Sequence, residues 1–301
     1  MSSRSLKACG AMALFASAAM VPVAVAQSER LTQQESQYVN LLDDEEFEKA
    51  NFYVQQGLVD PANLSTGKSL PYYLFPGPDC DGPRDGYCGP TLKVLQGIAP
   101  HFDLDAQVRN GTRPASYLCW GRQGALLTSQ YAAQEGWELN FTDENGLAPL
   151  HYCANQQPYK ADNERVLRLM AIMQNMLEGG ADINAPTIKR WGDYGEGATP
   201  LMFAVANWWG DNDYPAFIDF LLERGADVST TDAEGRGVIN YMPYPSRNRH
   251  YEPTVSMLKH LHAAGVDIMH KDPTSGESHF DHAMRVGDVD FAMQIMEIAE
   301  S

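Results

Sequence analysis

The chain has few basic residues, few cysteines and no long apolar run outside its first residues. It carries 22 Lys and Arg against 39 Asp and Glu in 301 residues, a formal charge of −17. Such a surface repels phosphate backbones and anionic headgroups, which excludes nucleic acid and a lipid surface as expected partners. Past residue 26 no stretch approaches about 18 uninterrupted apolar residues, so no helical membrane span is expected there. Low-complexity segments are absent. So are the familiar signs of catalysis. No serine sits in a G-x-S-x-G elbow, and no pair of carboxylates stands out from the general acidity. The stretch STGKS at 65–69 lacks a phosphate loop's first glycine, because Ala62 stands in its place.

What is present begins with a leader. Arg4 and Lys7 precede an apolar run from Ala11 to Ala26, which closes on Ala24-Val25-Ala26 before Gln27. This layout predicts a secretory signal peptide, residues 1–26, cleaved near Ala26. Its alanine content reads as bacterial, which places the mature chain in the periplasm or outside the cell. Losing Arg4 and Lys7 takes the charge to about −19. Cys9 precedes the apolar run, the wrong side for a lipid anchor. Of the five cysteines, Cys80, Cys88, Cys119 and Cys153 remain, an even number in an oxidising compartment. Cys80 and Cys88 bracket the turn DGPRDGY and are expected to pair, a short loop closure that stabilises by roughly 2.5 kcal/mol. Cys119 and Cys153 are either a second bridge or two buried thiols. The acceptors Asn63, Asn110 and Asn140 would carry glycans in a eukaryote; with a bacterial leader they are unmodified turn residues.

Two short signatures alternate along the rest. The first reads GTRPASYLC (111–119), GLAPLHYCA (146–154), GATPLMFAV (197–205), GRGVINYMP (235–243) and GESHFDHAM (276–284), with a weaker copy, GKSLPYYLF, at 67–75. The second reads EGWELN (135–140), GGADINA (179–185), RGADVST (224–230) and AGVDIMH (264–270). In the first, Gly suits a turn with positive φ, Thr or Ser caps a helix, and Pro costs no hydrogen bond at a first helical position. Before the second, apolar residues fall on one helical face, as with Phe217, Ile218, Leu221 and Leu222, or Ile172, Met173, Met176 and Leu177. Gly180, Gly225 and Gly265 then stop the helix. The unit is helix, turn, helix, glycine stop and hairpin.

This pattern resembles the ankyrin repeat, G-x-T-P-L-H-x-A-A, an apolar second helix, then G-A-D-V-N. Residues 197–229 match best and 146–184 next, while Ser116, Met202, Asn240 and Asp281 stand where the family has His. The resemblance covers about residues 40–301, strongly from 111. It implies an all-α solenoid of six to seven helix-turn-helix units over 67–301, closed by a C-terminal cap. Residues 27–66 form a helical capping region with a helix near Glu46–Gln56 stopped by Gly57. His151 then takes the family's His position, tying neighbouring turns together, and Cys153 the site of a small inward residue. Both are read as structural and not as a catalytic pair. His279, Asp281 and His282, with His270 in the preceding hairpin, form the best metal cluster on offer, but the repeat itself imposes their spacing.

The resemblance implies a protein that binds proteins without catalysis or cofactor. The residue after the His position reads Tyr73, Tyr117, Tyr152, Phe203, Tyr241 and His282, either framework between first helices or an aromatic strip on the concave face. Insertions lengthen the turns: NQQPYKADN (155–163), TIKRWGDYGE (187–196), NWWGDNDYP (207–215) and PYPSRNRHYEP (243–253). Aromatic and Arg side chains on loops of a rigid frame suit an interface. The candidate partner-binding set is Tyr117, Trp120, Tyr152, Trp191, Trp208, Trp209, Tyr214, Tyr244, Arg247 and Arg249. Tyr251 and His250 lie beside it. The expected partner is a single protein with a basic patch, bound by a monomer, in an inhibitor, immunity or accessory role. The competing expectations are a metal-dependent factor or enzyme using the C-terminal histidines, and a structural part of an envelope assembly.

Overall fold

The computed structural model describes residues 30–43, 46–61, 64–66, 70, 94, 96, 111–120, 123–156, 163–208, 214–245 and 251–301. Among these the regular structure is helical: α1 (Gln33–Asp43), α2 (Phe47–Gln55), the 3-10 helix η1 (Pro114–Trp120), α3 (Gln123–Gln134), α4 (Pro149–Ala154), α5 (Asn163–Glu178), α6 (Pro200–Ala206), α7 (Tyr214–Glu223), the 3-10 helix η2 (Val238–Tyr241), α8 (Tyr251–Ala263), α9 (His279–Val286) and α10 (Val289–Ala299). The leader, Tyr73 and the pair Cys80 and Cys88 fall outside the described residues.

Helices pack in two rows. Short first helices neighbour one another in the order η1, α4, α6, η2, and second helices in the order α3, α5, α7, α8, α10. Apolar stripes meet between the rows: Leu150, Leu201 and Phe203 from the first row and Ile172, Met176, Phe217, Ile218, Leu221, Leu258 and Leu261 from the second are all at most 1% exposed. Each such side chain contributes about 1.5–3 kcal/mol by leaving water.

The turns repeat as closely as the helices. Gly111, Gly146, Gly197, Gly235 and Gly276 open the first signature with φ between 70° and 87°. At Gly146 a side chain is doubly barred, by that φ and by the Lys189 backbone nitrogen 3.1 Å from where a Cβ would sit. Just before three of these glycines stands an aspartate that folds the turn around one oxygen. Asp143 Oδ1 accepts from the amides of Asn145 and Leu147, Asp232 Oδ1 from those of Glu234 and Arg236, and Asp272 Oδ1 from those of Thr274 and Ser275, all at 2.8–2.9 Å. Rungs of asparagine join successive turns. Asn140 donates to Gly180 O and accepts from Asp182 N, and Asn184 does the same with Gly225 O and Asp227 N, at 2.7–3.1 Å. The series stops at Ser229, whose shorter side chain bonds back to Asp227 at 2.7 Å.

Two first helices are tighter than expected. In η2 Gly237 offers no capping side chain and Pro243 follows, and the residue before a proline is pushed out of the helical region. Met242 accordingly turns extended, at φ −70° and ψ 128°, ending the element after Tyr241. Cys119 and Cys153 are joined by a disulfide with Cα atoms 4.9 Å apart, linking η1 to α4. Of the two alternatives left open in the sequence, the structure carries the bridge.

Candidate functional site

At the His position of four first helices the local job is the same and the residue differs, while in η1 the buried Ser116 hydroxyl makes no such bond. The backbone N–H three residues earlier needs an acceptor, because a helix start leaves its amides unpaired. His151 Nδ1 accepts from Ala148 N at 3.0 Å, Asn240 Oδ1 from Gly237 N at 2.8 Å, and Asp281 Oδ2 from Ser278 N at 3.0 Å. Met202 Sδ faces Thr199 N at 3.4 Å. The far side of His151 reaches across to Ala198 O, 3.1 Å away in the next unit. Burial holds its imidazole neutral and lowers its pKa to about 4, against the pull of the surrounding carbonyls and of Asp143. A fully buried, neutral, doubly bonded ring is a framework element.

The next residue along closes the same turn. The Tyr152 hydroxyl donates to the Asp143 carboxylate. Tyr241 donates to Asp232 at 2.6 Å and accepts from Gly195 N and Arg236 Nη2. Burial first and the carboxylate second push both phenols up. Tyr117 is 8% exposed and shares a hydrogen bond with Thr112 Oγ1 at 2.9 Å. Phe203 is fully buried. Of the two readings of the aromatic column, these contacts are those of framework between first helices.

The 187–196 insertion is a built structure. Trp191 and Tyr194 pair through both backbone amides at 2.9 and 3.0 Å around Gly192, and Thr187 ties the base to Gly195, Gly197 and Ala198. Its rings lie flat on the column beneath: Tyr194 stacks on Phe203 at 3.7 Å and on Tyr241 at 5.7 Å, and Trp191 on Phe203 at 5.9 Å, all within 15° of parallel. Burial raises the Tyr194 phenol to about 12, partly offset by Asn207. Trp191 remains half-buried, and Ile188 beside it is 56% exposed. A rigid hairpin thus presents Ile188, Lys189, Arg190 and one edge of Trp191.

Beyond the hairpin lies a cleft of about 530 Å³, within the size range of sites that hold a ligand. Arg190, Glu234 and Arg236 line one side, His282 and Arg285 the other, and Met242 and Tyr244 also line it. Arg190 pairs with Glu234. Arg236 donates to the buried Asp232 at 2.8 Å and lies over the Tyr241 ring at 4.7 Å. Tyr244 packs on His282 at 4.1 Å, on His279 at 6.2 Å and on Phe291 at 5.7 Å. His279 faces Met242 O at 3.1 Å, and burial lowers its pKa. Among the described residues no group of three or more His, Cys, Asp or Glu is placed to hold a metal ion.

The sequence-predicted set is therefore divided. Trp191 and Tyr244 border the accessible hairpin and cleft, and Tyr152 is half-buried above Asp143. Trp208 is 2% exposed and belongs to the interior, where an indole adjoining α6 adds packing area. Trp120 closes η1, while Tyr214 and Tyr251 are the first residues of α7 and α8 and not loop residues. Trp209, Arg247, Arg249 and His250 lie outside the described residues. Tyr194, Arg190, Arg236 and Arg285 went unnoticed in the sequence. For Tyr194 the available signal was its place in the same insertion as Trp191.

Compared with known families, residues 196–233 match the ankyrin-repeat model. The match spans α6, α7, the Gly225 stop and the Asp232 turn, and it supports an ankyrin-repeat protein. Curated proteins gave no match to the chain.

Proposed function

We propose that the chain is an exported, non-enzymatic protein-binding module: an ankyrin-type solenoid of six to seven units over residues 67–301 that grips one protein partner. Ankyrin repeats mediate protein–protein contacts, and the match at 196–233 is the observation that carries this reading. The two rows of helices and the repeated aspartate turns support the solenoid. The Cys119–Cys153 disulfide supports an oxidising compartment, in keeping with a periplasmic location after cleavage near Ala26. The contact surface is the concave face with the 187–196 hairpin, where Trp191, Tyr152 and Tyr244 remain from the predicted set. The net charge of −17 favours a partner with a basic patch, steered by complementary charge. A monomer acting as an inhibitor, an immunity protein or an accessory to another exported protein fits this description.

The test is affinity purification of residues 27–301 from the native envelope fraction, beside a double variant with Ile188→Asp and Trp191→Ala. These residues are chosen over Trp208 because a substitution at a buried indole would unfold its own repeat. One dominant protein held by the parent and lost by the variant, with an unchanged melting temperature, supports the reading. Equal recovery by both removes the hairpin from the interface, and stoichiometric metal with no retained protein overturns the function.

A further inference from the structure

We propose that the outer face of the last unit, formed by α9 and α10, docks a basic amphipathic helix of a partner, independently of the concave face and the 187–196 hairpin. A terminal unit ordinarily turns a polar side outward. This one does not. Counted from the opening glycine, Met284 stands where other units have Cys119, Ala154 and Val205, each at most 7% exposed, and the half-buried Pro243; Met284 is 50% exposed. One turn earlier, Phe280 is half-buried where Leu150, Leu201 and Ile239 are each at 1%. Inner first helices pack against the next one, α4 on α6 and α6 on η2, and among the described residues no first helix follows α9. The second helix agrees. Met293 lies two residues before the buried Ile295, the place held before Met176, Leu221 and Leu261 by Gln174, Asp219 and Lys259. That place looks toward the next unit: Gln174 accepts from Arg224 Nε at 2.7 Å, and Asp219 lies 3.4 Å from His260 Nδ1. In α10 it holds an apolar side chain, 63% exposed, with Val289 one turn earlier at 53%. Gly287, at φ 75°, turns α9 into α10, so Phe280 with Met284 and Val289 with Met293 form two apolar pairs on adjoining helices.

The rim selects the occupant. Helix α10 carries Asp290 and Glu297 and no Lys or Arg, and Glu300 follows it. Among the described residues none of these three carboxylates is in an ion pair, whereas the basic side chains of the unit are engaged, Arg285 on Glu277 and Lys271 on Asp281. An apolar seat rimmed by such acids fits Leu or Ile anchors spaced one turn apart on a helix flanked by Lys or Arg. Methionine suits the seat because it is unbranched and adapts to the side chain it meets. A second copy fits worse. It would bring one chain of charge −17 against another. Four apolar side chains also fall far short of the roughly 20–30 residues a side of a stable dimer, while a single helix needs only a few anchors.

The experiment is an NMR titration of the mature chain, labelled at its methionine methyls, with the acetylated and amidated peptide LKKLLKKLLKKLLK, a helix with Leu on one face and Lys on the other. Parallel titrations use the same design with Glu for Lys, and a peptide of identical composition reordered so that Leu forms no face. The Leu/Lys helix is expected to shift and saturate the Met284 and Met293 signals. Met284→Gln and Met293→Gln, each read at the other methyl, should weaken binding about tenfold, the scale of one buried apolar side chain. Both side chains are exposed, so melting temperatures should hold. Leu167→Gln, exposed at 64% on α5, and Ile188→Asp in the hairpin should leave binding unchanged. Binding of the Glu or the reordered peptide as tightly as the Leu/Lys helix overturns the proposal, as does indifference to both methionine substitutions. Sedimentation of the chain alone supplies the last arm: a monomer agrees with the proposal, and a dimer that Met293→Gln dissociates assigns the face to a second copy and overturns it.

Discussion

The unit opened by Asp143 and the unit opened by Asp272 share a backbone plan and differ in how they use their polar groups. In the first, Asp143, His151 and Tyr152 bond one another's neighbourhood and the next unit, and the ring of His151 is fully buried. In the second the turn is one residue longer, Gly276 following Asp272 by four positions where Gly146 follows Asp143 by three. The residue after the His position is His282, and it bonds Arg285 where Tyr152 bonds its aspartate. Its polar groups consequently meet one another at the surface, with Lys271 on Asp281 and Arg285 on Glu277. One repeat position serves as framework inside the array and as surface chemistry at its end. Substitutions in the central units should therefore cost far more than the same kind of substitution in the last.

The largest difference is expected between Phe203→Ala and His282→Ala. Phe203 is fully buried beneath Tyr194 and should lose about 4 kcal/mol of unfolding free energy, whereas the half-exposed His282 should lose no more than about 0.5 kcal/mol. Urea denaturation of both variants checks this. Next comes pH. The His151 pKa is lowered from 6.5 to about 4 in the fold, so the unfolded chain takes up a proton that the folded one refuses. Stability is complete above pH 6.5 and falls by on the order of 3 kcal/mol as pH drops to about 4. His151→Met, copying the Met202 unit, should flatten that slope in denaturation curves taken across the range. A slope that survives the substitution would assign it to other groups.

Arg236→Leu should cost about 3 kcal/mol, because it strands the buried Asp232 carboxylate; thermal melts would show it, and a loss below about 1 kcal/mol would mean that Tyr241 and the turn amides suffice. Smaller still is the asparagine ladder. Asn184→Ala removes two exposed bonds to the next turn and should cost about 1 kcal/mol, and Ser229→Asn should recover a fraction of that by extending the series. Amide hydrogen exchange of Gly225–Ser229 would report both. Glu164 is exposed where it meets Arg168, so their i,i+4 pair should be worth no more than about 0.5 kcal/mol and Glu164→Gln should leave the midpoint almost unmoved.

The turns and the helix faces were legible because glycine and proline fix backbone geometry locally. The positive φ of Gly180, Gly225 and Gly265 and the buried faces of α5 and α7 follow from residue identity alone. The helix near Glu46–Gln56 likewise forms as Phe47–Gln55 and is followed by Gly57 at φ 64°. The placement of aromatics was not legible, because burial depends on what a loop folds back upon. Trp191 and Trp208 sit in similar insertions, yet one lies against the column with an edge free and the other is interior. Nor does a sequence reveal which arginine has spare donors. Arg236 and Arg285 look alike in the chain, and only their partners separate them.

The break in the asparagine series after Asn184 has a dynamic side. Rungs at Asn140 and Asn184 stitch turn to turn along one edge; among the described residues no side chain repeats that rung at Ser229, and His270 Nε2 lies 3.0 Å from Gly235 O to join the later turns. With that rung missing, the Asp267 amide is expected to exchange faster than the Asp227 amide, which hydrogen exchange would check.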